Sequence, residues 1–208
     1  MKYFKKVFLK NEIEAILRNG ESSDGMSVLN VFNQTHDETD YLLSYSDENT
    51  FDENKEAEYL NEKKESSNEI EIIAITNEKI IGTAGIEAVG SQYKLKHRAD
   101  FGISILKEYW EIGLGKALTK ACIQCAKEAG YEQLELNVVS ENTRAISLYQ
   151  KLGFIEYGRN PKGFKSRING YQEVVYMFLN LYWLTFFIAD QSDSQTQFQY
   201  IRFIISGN

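Results

Sequence analysis

The sequence predicts an α/β fold with a mixed central sheet of about six to seven strands flanked by helices. Three observations carry this expectation. From Ile70 onward, short apolar runs alternate in strand fashion between turn residues. Leu114, Ala117, Leu118, Ala121, Cys122, Cys125 and Ala126 then recur at helical spacing. The chain continues as strand, helix, strand, an order that adds a parallel neighbour to a meander of strands.

Taken in order, Tyr3 to Leu9 reads as a first strand, and Ile13, Ile16 and Leu17 read as a helical stretch ended by Gly20. Met26, Leu29, Val31 and Phe32 mark a second helix. The charged run Asp52 to Ser66 marks a third, with Ala57 and Leu60 facing in and its charge on a solvated face. Ile70 to Thr76, the turn Asn77-Glu78-Lys79 and Ile80 to Ala88 make a hairpin. Leu95 to Leu106 is a further strand, with Phe101, Ile103 and Ile105 on one alternating face. The long helix starts near Gly113 and is closed by Gly130. Leu134 to Val139 is a strand, Asn142 to Leu152 a helix stopped by Gly153, and Phe154 to Gly158 and Glu173 to Leu181 two more strands. Residues 1–181 are read as one domain and 182–208 as an atypical C-terminal extension. There Trp183 to Ala189 and Tyr200 to Ile205 are apolar around a polar middle, which leaves a strand pair, a homodimer contact and a loose tail all open.

Composition removes several classes of function. Thirty acidic against twenty-three basic residues give a net charge of -7 over 208 residues, which repels a phosphate backbone, so no nucleic-acid partner is expected. The basic N-terminus lacks the apolar stretch and cleavage site of a signal peptide, and no run reaches the roughly 18 apolar residues of a membrane helix. A cytoplasmic protein without a membrane partner is expected. Cys122 and Cys125 form a C-x-x-C, yet they fall well inside a helix rather than at its electropositive start. His36 and His97 are isolated in sequence, so the cysteines read as thiols on a partly buried helix face and no metal is expected.

Two segments carry chemistry. Trp110-Glu111-Ile112-Gly113-Leu114-Gly115-Lys116 is a glycine-bearing turn between a strand and the long helix. Its glycines let the backbone approach a ligand, and the free N–H groups of the helix start favour phosphate oxygens. It contains neither a Walker A frame nor a full G-x-G-x-x-G. The second segment, Asn142 to Phe154, has Asn142 placed as an N-cap, and Ala145, Leu148, Tyr149 and Leu152 at helical spacing. Each segment alone has a purely structural reading, as a tight turn and as a packed helix.

Together the two segments resemble the GNAT superfamily of N-acetyltransferases, whose acetyl-CoA signature is Q/R-x-x-G-x-G/A followed by N-x-x-A-x-x-x-Y-x-x-x-G-F. This chain has W-E-I-G-L-G and N-T-R-A-I-S-L-Y-Q-K-L-G-F, a complete second match and a first that departs at Trp110. The resemblance is strong from Ile70 to Leu181, fainter at Glu38-Thr39-Asp40-Tyr41-Leu42, which look like variable acceptor-side segments, and absent from 182–208. His97 to Ile105 looks like the fourth strand of the amino-acid, antibiotic and ribosomal-protein branches.

The resemblance implies a GNAT fold and an acetyl-CoA-dependent transfer to a small-molecule amine or a protein N-terminus. It implies that Ile103, Ser104 and Ile105 lie along the pantetheine, that Glu111, Ile112, Gly113, Leu114, Gly115 and Lys116 hold the pyrophosphate, and that Asn142 meets the far pantetheine region. Tyr149 is the implied donor to the departing thiolate and Asp100 the implied base, with a solvent-facing or Arg98-paired carboxylate as the alternative for Asp100. His97 reads as structural. A non-catalytic acetyl-CoA-binding module of the same fold is the competing reading of the whole chain.

Overall fold

The computed structural model describes residues 1–181, so the readings offered for 182–208 lie outside the described residues. One eight-stranded sheet runs through the molecule in the order β1-β2-β3-β4-β5-β6-β8-β7. Its strands are β1 (Phe4–Phe8), β2 (Glu14–Asn19), β3 (Ile70–Thr76), β4 (Lys79–Ala88), β5 (Arg98–Ile105), β6 (Gln133–Val139), β7 (Ile155–Ser166) and β8 (Gly170–Asn180). The helices are α1 (Gly25–Glu38), α2 (Glu53–Glu65), α3 (Leu114–Glu128) and α4 (Thr143–Lys151). All strand pairs are antiparallel except β5 with β6. Among the described residues no helix is long and apolar enough to cross a membrane.

The expected helix at Ile13 to Leu17 is instead strand β2. Its two neighbours decide this: Lys5 pairs with Leu17 on one side, and Leu17 pairs with Ala74 on the other. Ala15 and Leu17 are buried while Ile16 between them is only partly so, the alternation of a strand. This gives eight strands where six to seven were expected. β7 also runs beyond Gly158 to Ser166. Pro161 falls where its register with β8 shifts, between Asn160 and Phe164, and an edge strand tolerates a residue without an N–H.

Two apolar layers sandwich the sheet. On one face Leu114, Leu118, Ala121, Cys122, Cys125 and Ala126 of α3 pack on Ile72, Ala84, Ala99, Phe101 and Leu136. On the other, Val28 and Val31 of α1 and Leu60 of α2 pack on Ile73, Ile80 and Leu106. The charge of α2 is not all solvated: Glu56 and Lys63 are buried beside Leu60, and the Lys63 ammonium meets Glu69 at 2.7 Å and Glu87 at 2.8 Å. The C-x-x-C thiols lie within the α3 layer as free cysteines. Burial pushes the Cys125 thiol up to about 12, the opposite of a reactive thiolate.

Both α3 and α4 end in a Schellman cap. Tyr131 N–H donates to Ala126 and Gly130 N–H to Lys127, with Gly130 at φ +83°. In α4, Phe154 N–H donates to Tyr149 and Gly153 N–H to Gln150, with Gly153 at φ +96°. The Tyr-x-x-x-Gly-Phe spacing is therefore first a cap. Its glycine adopts a left-handed conformation, and its phenylalanine ring lies 5.7 Å from the tyrosine ring that it fixes.

Candidate active site

The parallel strands β5 and β6 pair over three residues only, from Arg98 with Gln133 to Asp100 with Glu135. Beyond that point β5 continues to Ile105 and β6 to Val139 without bridging each other. Such a gap leaves backbone N–H and C=O groups of both strands available to a ligand. Ile103, Ser104 and Ile105 stand on the β5 side of it. The cross-strand register sets Ser104 beside Thr83 on the α1–α2 face, and Ile103 beside Ala84 on the α3 face.

At the end of β5 the chain turns into α3. Glu111 has φ +65° and Gly113 φ +96°, so two left-handed residues bend the backbone before Leu114 opens the helix. The first N–H groups of a helix, here Leu114, Gly115 and Lys116, have no intrahelical acceptor and carry the positive end of its dipole. Gly115 lies against α4, since a Cβ there would stand 3.3 Å from Leu148 Cδ2 and 3.6 Å from Ile105 Cδ1. Strand end, turn and α4 thus converge. A cavity of about 990 Å³ lies between β1 and α3, lined at the turn by Ile112, Gly113 and Lys116 and further along by Lys5, Lys10 and Lys120.

Trp110, the departure from the family signature, has a structural use. Its indole N–H donates to the Ile105 carbonyl at 2.8 Å, and the Arg144 guanidinium of α4 lies 4.5 Å from its ring centroid. Arg144 in turn donates to Glu111 at 2.8 Å. The turn is therefore braced from strand to α4 by side chains. Asn142 caps α4 by accepting the Ala145 N–H at 3.2 Å, which uses its carbonyl and leaves its amide hydrogens for another acceptor.

Tyr149 projects from α4 into the α3-side layer, its ring 6.1 Å edge-on from Phe101. It is 7% exposed, and burial pushes its hydroxyl above the ordinary phenol range. Asp100 stands on the opposite face of the sheet, in a cross-strand row with Glu87 and Glu135. The pairing with Arg98 does not form, because Arg98 gives its guanidinium to Glu135, at 2.7 Å from Nη2. Burial and the neighbouring Glu135 raise the Asp100 carboxyl, against a smaller opposing effect of Arg98. His97 uses its carbonyl to accept the Glu132 and Gln133 N–H groups, which joins β5 to the start of β6.

With this geometry in view, a family profile described as Acetyltransferase (GNAT) family matches residues 35–154, more than half of the chain. The chain belongs to this acetyltransferase family. Among similar GNAT proteins, an acetyltransferase from Streptococcus pneumoniae is 29% identical with a TM-score of 0.76, covering 80% of this chain and 99% of that one. A Salmonella typhimurium protein solved with its cofactor acetyl-CoA shares the fold at 16% identity and a TM-score of 0.71, covering 88% of this chain and 98% of that one. N-acetyltransferase 8B of Homo sapiens is 32% identical over 89 residues, 42% of this chain and 39% of that protein, so the chain spans about two fifths of that relative's length.

One feature of the site gave no sequence signal beyond the faint likeness at Glu38 to Leu42. The α1–α2 connection is strapped to the β7–β8 turn through Asp40, whose carboxylate accepts from Ser166 at 2.6 Å, Asn169 at 2.8 Å and Tyr45 at 3.0 Å. Arg167 adds a two-oxygen contact with Asp47, both at 2.8 Å. Desolvation alone would raise the Asp40 carboxyl, but these hydrogen bonds together hold it below the usual range. Its folded-state pKa is thus depressed, so the strap contributes above the ordinary carboxylate pKa and weakens as pH falls through the lowered one. Asp40→Ala is expected to leave acetyl-CoA affinity unchanged and to raise the acceptor KM several-fold; an unchanged KM would separate the strap from acceptor binding.

The glycine turn yields a second expectation. An alanine at Gly113 meets no neighbouring atom but must hold φ near +96°, a strain of about 1–2 kcal/mol. Relief of that strain would move the N–H groups of the helix start. Gly113→Ala should weaken acetyl-CoA binding about tenfold by calorimetry, and an unaltered dissociation constant would remove the turn from the binding site.

Proposed function

We propose that this chain is an N-acetyltransferase that moves an acetyl group from acetyl-CoA to a primary amine, by direct attack of the amine on the thioester. The observation that carries this reading is the gap between β5 and β6, with the glycine turn at its mouth and Tyr149 on one side of it. The acceptor is a small-molecule amine or a protein N-terminus.

Acetyl-CoA supplies an activated acyl group. Ile103, Ser104 and Ile105 offer a strand edge to which the amides of its pantetheine can pair. Glu111 to Lys116 form a turn whose N–H groups, with Lys116 and the lysine-lined cavity beyond, suit its phosphates. The Asn142 amide reaches the far part of the same arm. Tyr149 holds a hydrogen bond toward the departing sulfur. Full proton transfer from a phenol at ~10 to a thiolate near ~8.5 is already uphill, and burial makes it more so. Tyr149 therefore serves as a hydrogen-bond donor whose effect grows as charge collects on sulfur. Asp100, on the other face, meets the acceptor ammonium.

The test is release of free thiol from acetyl-CoA across a panel of polyamines, amino acids, aminoglycosides and N-terminal peptides. Acceptor-dependent release is the expected result. Tight acetyl-CoA binding with no release for any acceptor would favour the non-catalytic binding module, and absence of binding would overturn the assignment of the turn.

A further inference from the structure

The cross-strand register sets a row of three residues side by side on the α1–α2 face of the sheet: Glu71 on β3, Gly85 on β4 and Gly102 on β5. The Glu71 side chain occupies the space over the middle position, where a Cβ at Gly85 would collide with its Oε2. The Glu71 carboxylate therefore lies over Gly85 and points along the row toward β5. At the end of the row, a Cβ on Gly102 would meet nothing within 4 Å. Neighbouring strands stand about 5 Å apart, so the carboxylate borders the open space over Gly102. That space adjoins Ile103, where β5 has already parted from β6.

The groups around Glu71 are defined on every side. Thr83 on β4 gives it a hydrogen bond. From α2 it faces Glu56 and Lys63, and from β4 Glu87. Lys63 is committed to Glu69 and Glu87, and the Tyr59 hydroxyl donates to Glu87 at 3.1 Å. Asp100 lies two positions from Gly102 along β5 on the same face, in the neighbouring row between Glu87 and Glu135, and the charge of Glu135 is met by Arg98.

Resting on the transferase reading above, we propose that the acceptor enters over Gly102 and gives its ammonium proton to Glu71, with Asp100 as the second carboxylate holding the cation. The acceptor class that fits is a primary alkylammonium with no carboxylate beside its path. In the step, R-NH3⁺ loses one proton to the Glu71 carboxylate, which passes it to solvent. The freed nitrogen pair bonds the acyl carbon as the C–S bond breaks and its electron pair goes to sulfur. The second nitrogen proton then leaves and the thiolate takes up a proton, so that acetamide, thiol and one released proton balance the equation.

The chemistry separates Glu71 from an ordinary carboxylate. Burial pushes the Glu71 carboxyl up to about 7, with Glu56 and Glu87 adding to the effect and Thr83 and Lys63 opposing it. Against an alkylammonium at ~10.4, such a base is about three pKa units short, where an unperturbed carboxylate is about six. It is also the better match to neutral pH, since its pKa lies close to it and about half of it is ionised there.

The test uses the full chain, with the best acceptor found above and with the matched pair 1,4-diaminobutane and 4-aminobutyrate, which differ in an ammonium against a carboxylate. Expected for the unaltered protein are a kcat/KM limb rising with an apparent pKa near 7 and at least tenfold preference for the diamine. Glu71→Gln should abolish that limb and lower kcat/KM at pH 7.5 by roughly a hundredfold, with the acetyl-CoA dissociation constant within twofold. Asp100→Asn should raise the acceptor KM and keep the limb. Gly102→Val, at an exposed strand position, should raise the acceptor KM at least tenfold without altering acetyl-CoA binding. A limb retained in Glu71→Gln, or an acceptor KM unmoved by Gly102→Val, would overturn the proposal and leave the transferase reading intact. Failure of the unaltered protein to release thiol with any acceptor would instead overturn that underlying reading and this proposal with it.

Discussion

Tyr149→Phe is expected to lower kcat by about a hundredfold, with the acetyl-CoA dissociation constant within twofold of the original. The substitution removes one oxygen and keeps the ring that packs on Phe101 and Phe154, so the α4 cap and the layer beneath it stay intact. Because the hydroxyl is held in a buried layer, the proposed hydrogen bond from it to a developing thiolate would form at low local dielectric, where it counts for more than in water. Removing one such preorganised donor in an enzyme commonly costs 10² to 10³ in turnover, and the lower figure is adopted since sulfur is a weak acceptor. Single-turnover thiol release at saturating acetyl-CoA measures the step directly. An unchanged rate would mean that the thiolate departs unaided and that Tyr149 belongs to packing alone.

The second large effect runs in the opposite direction. Glu71→Gln is expected to stabilise the fold at pH 8 by up to about 4 kcal/mol, while the same variant loses activity. An unfolded glutamate titrates near ~4.3, whereas burial raises the folded carboxyl to about 7. Between those values the folded chain binds the proton more than the unfolded chain does, so stability falls as pH rises through 7. Below ~4.3 the wild-type group is protonated in both states and exerts no such penalty. At 1.36 kcal/mol per unit the interval gives the quoted upper figure, which partial solvent access to the residue will reduce. Urea unfolding at pH 5, 6.5 and 8 should show the variant gaining on the parent as pH increases. A difference that stays flat across pH would show that the carboxyl titrates like one in solvent. A group that weakens the fold at the pH where it is ionised, on the face where an amine would enter, fits strain retained at a functional site.

Much of the architecture was legible because it is written over short distances. The α3 stripe from Leu114 to Ala126, the Gly130 and Gly153 caps and the alternation in β3 to β6 each depend on residues within one or two turns or a few strand positions. The Asn142 cap and the Tyr149-to-Phe154 spacing belong to the same class, and for that reason the local geometry of the segment proposed to meet acetyl-CoA was legible in the sequence. The error at Ile13 to Leu17 arose where five residues satisfy helical and strand periods equally, and pairing with β1 and β3 decided between them.

By itself, then, the sequence determined the α/β class, the helix and strand order from α1 onward, the glycine turn and the membership in an acetyltransferase family that those motifs signal. Only the tertiary structure decided which carboxylates matter on the other face. Glu71 reads in sequence as one polar residue alternating along a strand, and it becomes a largely desolvated acid because α2 is laid over it and Gly85 makes room beneath it. Asp40 likewise meets Ser166 across 126 positions of chain. The reason is physical. Backbone periodicity and capping are set by neighbours along the chain, whereas the desolvation and hydrogen bonding that tune a charge are set by whatever the fold brings beside it.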